Sequence, residues 1–163
     1  MKLKLSLQEA KDQVAKRLMK EHCGPSVLKV MCQAYGIKDK DVLWAGTVFR
    51  GGIGGMQEAP CGAVSGAAIA LGLRHRCSLQ NKAEAEKAAQ TACEEAAKYV
   101  KSFKKKFGAI TCIGLLGVDF SDEAAVKKAR EKGLLNGKCE KHVQFAIEKL
   151  FELEEKRNRS TGK

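Results

Sequence analysis

Residues 51–73 read GGIGGMQEAPCGAVSGAAIALGL, and the fold turns on what this stretch is for. Glycines and alanines crowd around Cys61, and Pro60 stands immediately before it. Proline suits a helix opening, because its missing N–H would be unpaired there anyway and its φ is already helical. The stretch therefore predicts an apolar helix from Pro60 through Leu71, entered from a glycine-rich connection, RGGIGGMQE. Two explanations of the small residues Gly62, Ala63, Ser65, Gly66 and Ala67 stand side by side. They allow tight helix packing, or they let backbone come close to a bulky group beside Cys61. A dinucleotide-binding role for GGIGG fails, because no strand precedes it.

Helical signals continue on both sides. Ser6-Leu7-Gln8-Glu9 is a capping-box pattern, followed by Leu7, Ala10, Val14 and Leu18 at helical spacing. That helix should stop near Cys23-Gly24, with Pro25 in the first turn of the next. The second helix carries Val27, Met31 and Ala34 to about Gly36, and a third is expected from Lys40 to Phe49 around Trp44. Asn81 and Glu84 open a long helix striped with Ala85, Ala88, Ala92, Ala96, Tyr99 and Phe103, ended by Gly108. Thr111 caps a short CIGLL segment. Ser121-Asp122-Glu123 begins a helix that ends at Gly133, the acids suiting its first turn. The last helix is expected to begin near Cys139 and to bury Val143, Ala146, Ile147, Leu150 and Leu153. Only KLKLSL, near the start, hints at a strand. The expected fold is all-α, an irregular antiparallel multi-helix bundle. Residues 1–156 form its single domain, and 157–163 form a basic flexible tail.

Composition narrows the function classes. The chain has 163 residues, 44% of them hydrophobic, enough for one sizeable core. No stretch approaches the ~20 apolar residues of a membrane span, and the expected location is the cytoplasm, with no membrane contact. A net charge of +11 suggests an acidic partner. A nucleic-acid-binding module is the lesser reading of that charge, since no such motif accompanies it. The local cluster Lys104, Lys105, Lys106 serves docking or is a solvated face. Homodimerisation is left open.

Seven cysteines, an odd number, cannot all pair within one molecule. Position sorts them. Cys23, Cys61, Cys112 and Cys139 fall at or near expected helix starts, where unpaired N–H groups and the helix dipole favour thiolate over thiol. Thiolate is the form that binds metal or attacks disulfides. Cys32 and Cys93 lie inside helices and read as small core residues; Cys77, in the RHRCS connection, reads as an exposed spare thiol. His142, three residues after Cys139, shares its helix face, but between lysines it reads as a solvated surface residue.

The segments FRGGIGG and CGAVSGA, then FGAITCIGLLG and GKCEKHV, resemble the C_GCAxxG_C_C redox-active protein family. The resemblance runs from about Cys23 to Val143, and the family's cysteine positions fall on Cys23, Cys61, Cys112 and Cys139. It implies a mainly helical fold and a redox role. A related domain occurs in split-Soret cytochromes, for which iron–sulfur binding has been suggested; this chain has no Cys-x-x-Cys-His, so no attached haem is expected. The leading expectation is electron transfer through an iron–sulfur cluster held by the four cysteines. Gly62 and the Gly51–Gly55 turn would give access and backbone donation, and an acidic redox protein would be the partner. A metal-free thiol–disulfide protein and a structural zinc site drawing on Cys139 and His142 are the alternatives. On any of these, the chain is an electron-transfer or redox component rather than an evident stand-alone enzyme. A hydrolytic Cys139–His142 pair lacks a third orienting residue.

Overall fold

The computed structural model describes residues 2–160. Eight helices follow in order among them: α1 (Leu7–Glu21), α2 (Cys23–Tyr35), α3 (Lys40–Ala45), α4 (Gly62–His75), α5 (Lys82–Phe107), α6 (Cys112–Leu116), α7 (Glu123–Glu131) and α8 (Leu134–Ser160). The protein is an all-α multi-helix bundle. No strand occurs among the described residues, only the isolated bridges Ile53–Met56 and Pro60–Thr111. The KLKLSL start forms no strand and leads directly into α1.

The caps explain the boundaries. Ser6 accepts from the Glu9 N–H while the Glu9 carboxylate accepts from the Ser6 N–H at 2.8 Å, a complete capping box. Asn81 caps α5, Thr111 caps α6 and Asp122 caps α7, each accepting the N–H three residues on. Gly36, Gly108 and Gly117 end α2, α5 and α6 at positive φ, where a Cβ would be strained. The Asp39 cap of α3 also forms, but α3 stops at Ala45 rather than running to Phe49. Trp44 stays exposed on it.

Helix α2 is the buried axis: Val27, Val30, Met31 and Ala34 have no exposed surface. Around it pack Ala10 and Val14 of α1, Ala63, Ala67 and Ala70 of α4, and Val143, Ala146, Ile147 and Leu150 of α8. α5 joins this core through Tyr99 and Phe103, and the Tyr99 hydroxyl donates to the Ala63 carbonyl at 3.1 Å. The alanines earlier in the α5 stripe, Ala85, Ala88 and Ala92, remain only half-buried. Glu154 of α8, 1% exposed, accepts from Arg74 of α4 at 2.6 Å and from Arg157.

That ion pair reaches into the stretch expected to form the tail. α8 continues through Ser160, and Arg157 is also paired with Glu95. Residues 161–163 of the expected tail lie outside the described residues. α8 also begins at Leu134, five residues ahead of Cys139, because Gly133 at positive φ already separates it from α7.

Candidate functional site

Three of the four selected cysteines stand at helix starts. Cys23 is the first residue of α2, Cys61 is the N-cap residue of α4, and Cys112 is the first residue of α6. Cys139 does not: it lies in the second turn of α8 and owes its place to packing.

Local geometry fixes each one. α1 and α2 meet at a single residue, His22, whose φ of 65° is the only positive value for a non-glycine residue among those described. Such a corner costs of order 1–3 kcal/mol and must be held by its surroundings. Ser26 does so, donating both its hydroxyl and its N–H to the His22 carbonyl; Arg50 adds a contact to the His22 ring at 3.2 Å. Cys61 and Cys112 are held by the Pro60–Thr111 bridge. The Cys61 N–H donates to the Ile110 carbonyl at 2.7 Å, and the Cys112 N–H donates to the Ala59 carbonyl at 3.3 Å. Buried Gln57 secures the far side, donating to the Val118 carbonyl at 2.7 Å. Lys138 brings in α8: its ammonium donates to the Leu115 and Leu116 carbonyls at 3.2 and 3.3 Å, satisfying the end of α6. Cys139 is the next residue.

Glycines let α2 and α4 touch. A Cβ on Gly62 would lie 2.5 Å from the Cys23 sulfur and 2.5 Å from the Gly24 nitrogen. A Cβ on Gly66 would lie 2.6 Å from the Gly24 carbonyl oxygen. Real Cβ atoms essentially never come within 3.0 Å of such atoms. The small residues of CGAVSGA therefore do two things at once. They allow close helix packing, and that packing presses the start of α2 against the start of α4, cysteine to cysteine.

The result is a cavity of about 330 Å³ whose wall includes Cys23, Cys61, Cys112 and Cys139. That is near the lower end of small-molecule pockets, about 300–1,000 Å³. His22, His142 and Gly51 also line it, with Arg130, Asn136 and a set of apolar side chains from Leu18 to Leu135. The structure thus brings together all four selected cysteines. Gly62 stands directly beside Cys23, and Gly51 supplies backbone.

The sulfurs are not equivalent. The Cys61 thiol, and then the backbone N–H groups of Gly51, Gly24 and Gly62, stabilise a Cys23 thiolate and hold its pKa down to about 6 against the opposing effect of burial. The Cys61 thiol is pushed well up by the same hydrogen bond, by burial and by the charge of Cys23. Burial, then Cys23, raises Cys112 to about 11; burial, then Cys23 and Cys112, raises Cys139 to about 12. The surroundings of Cys23 thus favour its charged form, while burial opposes ionisation of the other three.

The remaining cysteines sort differently from expectation in part. Cys32 is buried, as a core residue. Cys93 is exposed rather than core, because the first half of α5 has little packed against it; Cys77 is half-buried. Lys104, Lys105 and Lys106 form a solvated face away from the cavity wall.

His142 is the residue that sequence reasoning misplaced. It is 4% exposed, not solvated. Its ring stands edge-on to Phe107 at 4.6 Å between centroids and close to Phe103 at 5.7 Å. The signal was its helical spacing from Cys139 and Ala146; the flanking lysines masked it, because Lys138 is drawn to α6 and Lys141 points to solvent.

Among the described residues, no three His, Cys, Asp or Glu side chains are gathered tightly enough to hold a single metal ion. Tetrahedral zinc, with Zn–S bonds of ~2.3 Å, draws its four donors to one point. A cluster of two or four irons spreads its ligand sulfurs farther apart. Four cysteines around a cavity, backbone N–H groups directed at one sulfur and a glycine cradle suit it in donor chemistry.

A family model described as "Putative redox-active protein (C_GCAxxG_C_C)" matches residues 21–153. No curated protein and no solved structure matches the chain. No helix among the described residues is long and apolar enough to cross a membrane.

Proposed function

The chain belongs to the C_GCAxxG_C_C redox-active family, and on that premise we propose that its cavity is an electron-transfer centre holding an iron–sulfur cluster on Cys23, Cys61, Cys112 and Cys139. The observation that carries this reading is that four cysteines, from α2, α6, α8 and the entrance to α4, line one cavity. When bound, a cluster supplies one-electron transfer at fixed geometry. The protein's own contribution is threefold. Cys23 is already charge-stabilised, and the N–H groups of Gly51, Gly24 and Gly62 offset negative charge at its sulfur. Leu18, Leu115, Leu116, Phe120 and Leu135 make a largely apolar wall that limits water. A net charge of +11 favours approach of an acidic redox protein.

The test is anaerobic purification with iron, sulfide and zinc analysis and a visible spectrum. The expectation is a brown protein with iron and sulfide in equal amounts. Cys23→Ser, Cys61→Ser, Cys112→Ser and Cys139→Ser should each lower that content, while Cys93→Ser keeps it. A colourless wild-type protein after anaerobic reconstitution rejects a cluster.

A second reading has its own observation: the Cys61 thiol is hydrogen-bonded to a Cys23 sulfur poised as thiolate. In a metal-free protein, that pair suits thiol–disulfide exchange. Cys23 would attack a substrate disulfide, forming a mixed disulfide and releasing one thiolate. Cys61, on losing its proton, would attack the Cys23 sulfur and release the second. Two electrons pass to the substrate, and a Cys23–Cys61 disulfide remains. A metal-free protein whose free-thiol count rises by two on reduction, and does not in Cys61→Ser, supports this reading over the first.

A further inference from the structure

His142 is a buried polar side chain on the cavity wall, and the described residues leave its bonding capacity unused. Its Nδ1 is buried and has no hydrogen-bond partner. Native proteins seldom leave such an atom unpaired, and doing so costs about 1–3 kcal/mol. The ring is not free to turn away, since Phe103 and Phe107 pack against it and Phe145 closes on both. Burial first, then Lys138, holds its pKa down to about 4, so the ring is neutral near pH 7 and carries one N–H. Cys139 lies three residues earlier on the same helix face, and both side chains reach the same cavity.

Resting on the cluster reading above, we propose that His142 donates its Nδ1–H to a sulfur of the cluster held by the four cysteines and so sets its reduction potential without ligating iron. An N–H directed at a cluster sulfur stabilises the additional electron of the reduced state and raises the potential. His142 is a positioning and tuning residue here, and Nδ1 gains the partner that the polypeptide does not supply.

The experiment compares the full chain with His142→Leu and His142→Asn after anaerobic reconstitution with ferrous iron and sulfide. Asn places an amide nitrogen where Nδ1 stood; Leu has the same branching and no donor. All three should take up equal iron and sulfide per chain. The Leu midpoint potential should fall below wild type, and the Asn midpoint should return most of the way. A Leu variant at the wild-type potential overturns the proposal, as does an Asn variant indistinguishable from Leu. Loss of iron from both marks His142 as a ligand and also overturns it. Should Leu fail to fold, His142→Gln takes its place. Its amide reaches the Nε2 position instead, so a wild-type potential in that variant is contrary to the proposal. A wild-type chain that takes up no iron and sulfide rejects the cluster itself, before any variant is compared.

Discussion

Gly62→Ala adds one methyl group at the closest approach of α2 and α4. The new Cβ would lie 2.5 Å from the Cys23 sulfur and 2.5 Å from the Gly24 nitrogen, and it would also strike the Phe49 carbonyl oxygen. Two of those three atoms are backbone, so no side-chain rotation relieves the clash. Overpacking at such a point costs about 3 kcal/mol, the upper part of the usual range. Alanine's better helix propensity returns about 1 kcal/mol. The net is a loss of about 2 kcal/mol, or a Tm lower by about 4–8 °C for a domain of this size. Gly72→Ala is the matched control: it lies in the same helix, and nothing stands within 4 Å of its added Cβ. There only the propensity gain acts, and stability should rise by about 0.5–1 kcal/mol. Urea and thermal unfolding followed by circular dichroism measure both. Equal stabilisation of the two variants would refute the close approach of α2 and α4 at Gly62, and with it the contact between Cys23 and Cys61.

Further tests follow from the same geometry. Alkylation of Cys23 by iodoacetamide should already be near its plateau at pH 7 and fall below about pH 6. Cys61→Ala removes the largest stabiliser of that thiolate, so the profile should move to higher pH; an unmoved profile contradicts the assignment. His142, held down to about 4 when folded against ~6.5 unfolded, takes up its proton more readily in the unfolded chain. It therefore contributes stability that is present above about pH 6.5 and lost as pH falls toward 4. The loss, of order 2–3 kcal/mol, should be absent from His142→Leu in urea titrations across that range. Glu154→Leu leaves Arg74 and Arg157 beside an apolar site and should cost about 3–5 kcal/mol by urea unfolding. Disrupting the exposed Lys149–Glu152 pair should cost under ~1 kcal/mol.

Helix content was legible because it is written locally. Ser6–Glu9, Asn81, Thr111, Asp122, Gly36 and Gly108 act over three or four residues, and each cap does what its residue type suggests. The misreadings share a different cause. The boundaries of α3 and α8, and the exposure of Cys93 and His142, depend on what packs against them from far along the chain. Lysines around His142 suggested solvent, because sequence does not reveal that Lys138 turns away to cap α6.

Sequence alone determined an all-helical chain and put Cys23, Cys61 and Cys112 at helix starts, because caps, prolines and glycines act on their immediate neighbours. Tertiary structure alone decided that these sulfurs share a cavity with Cys139, that backbone N–H groups of Gly51, Gly24 and Gly62 favour a thiolate at Cys23, and that His142 is buried beside them. Those outcomes depend on helices distant in sequence coming together at Gly24, Gly62 and Gly66, and on burial and hydrogen bonds that exist only once they have done so.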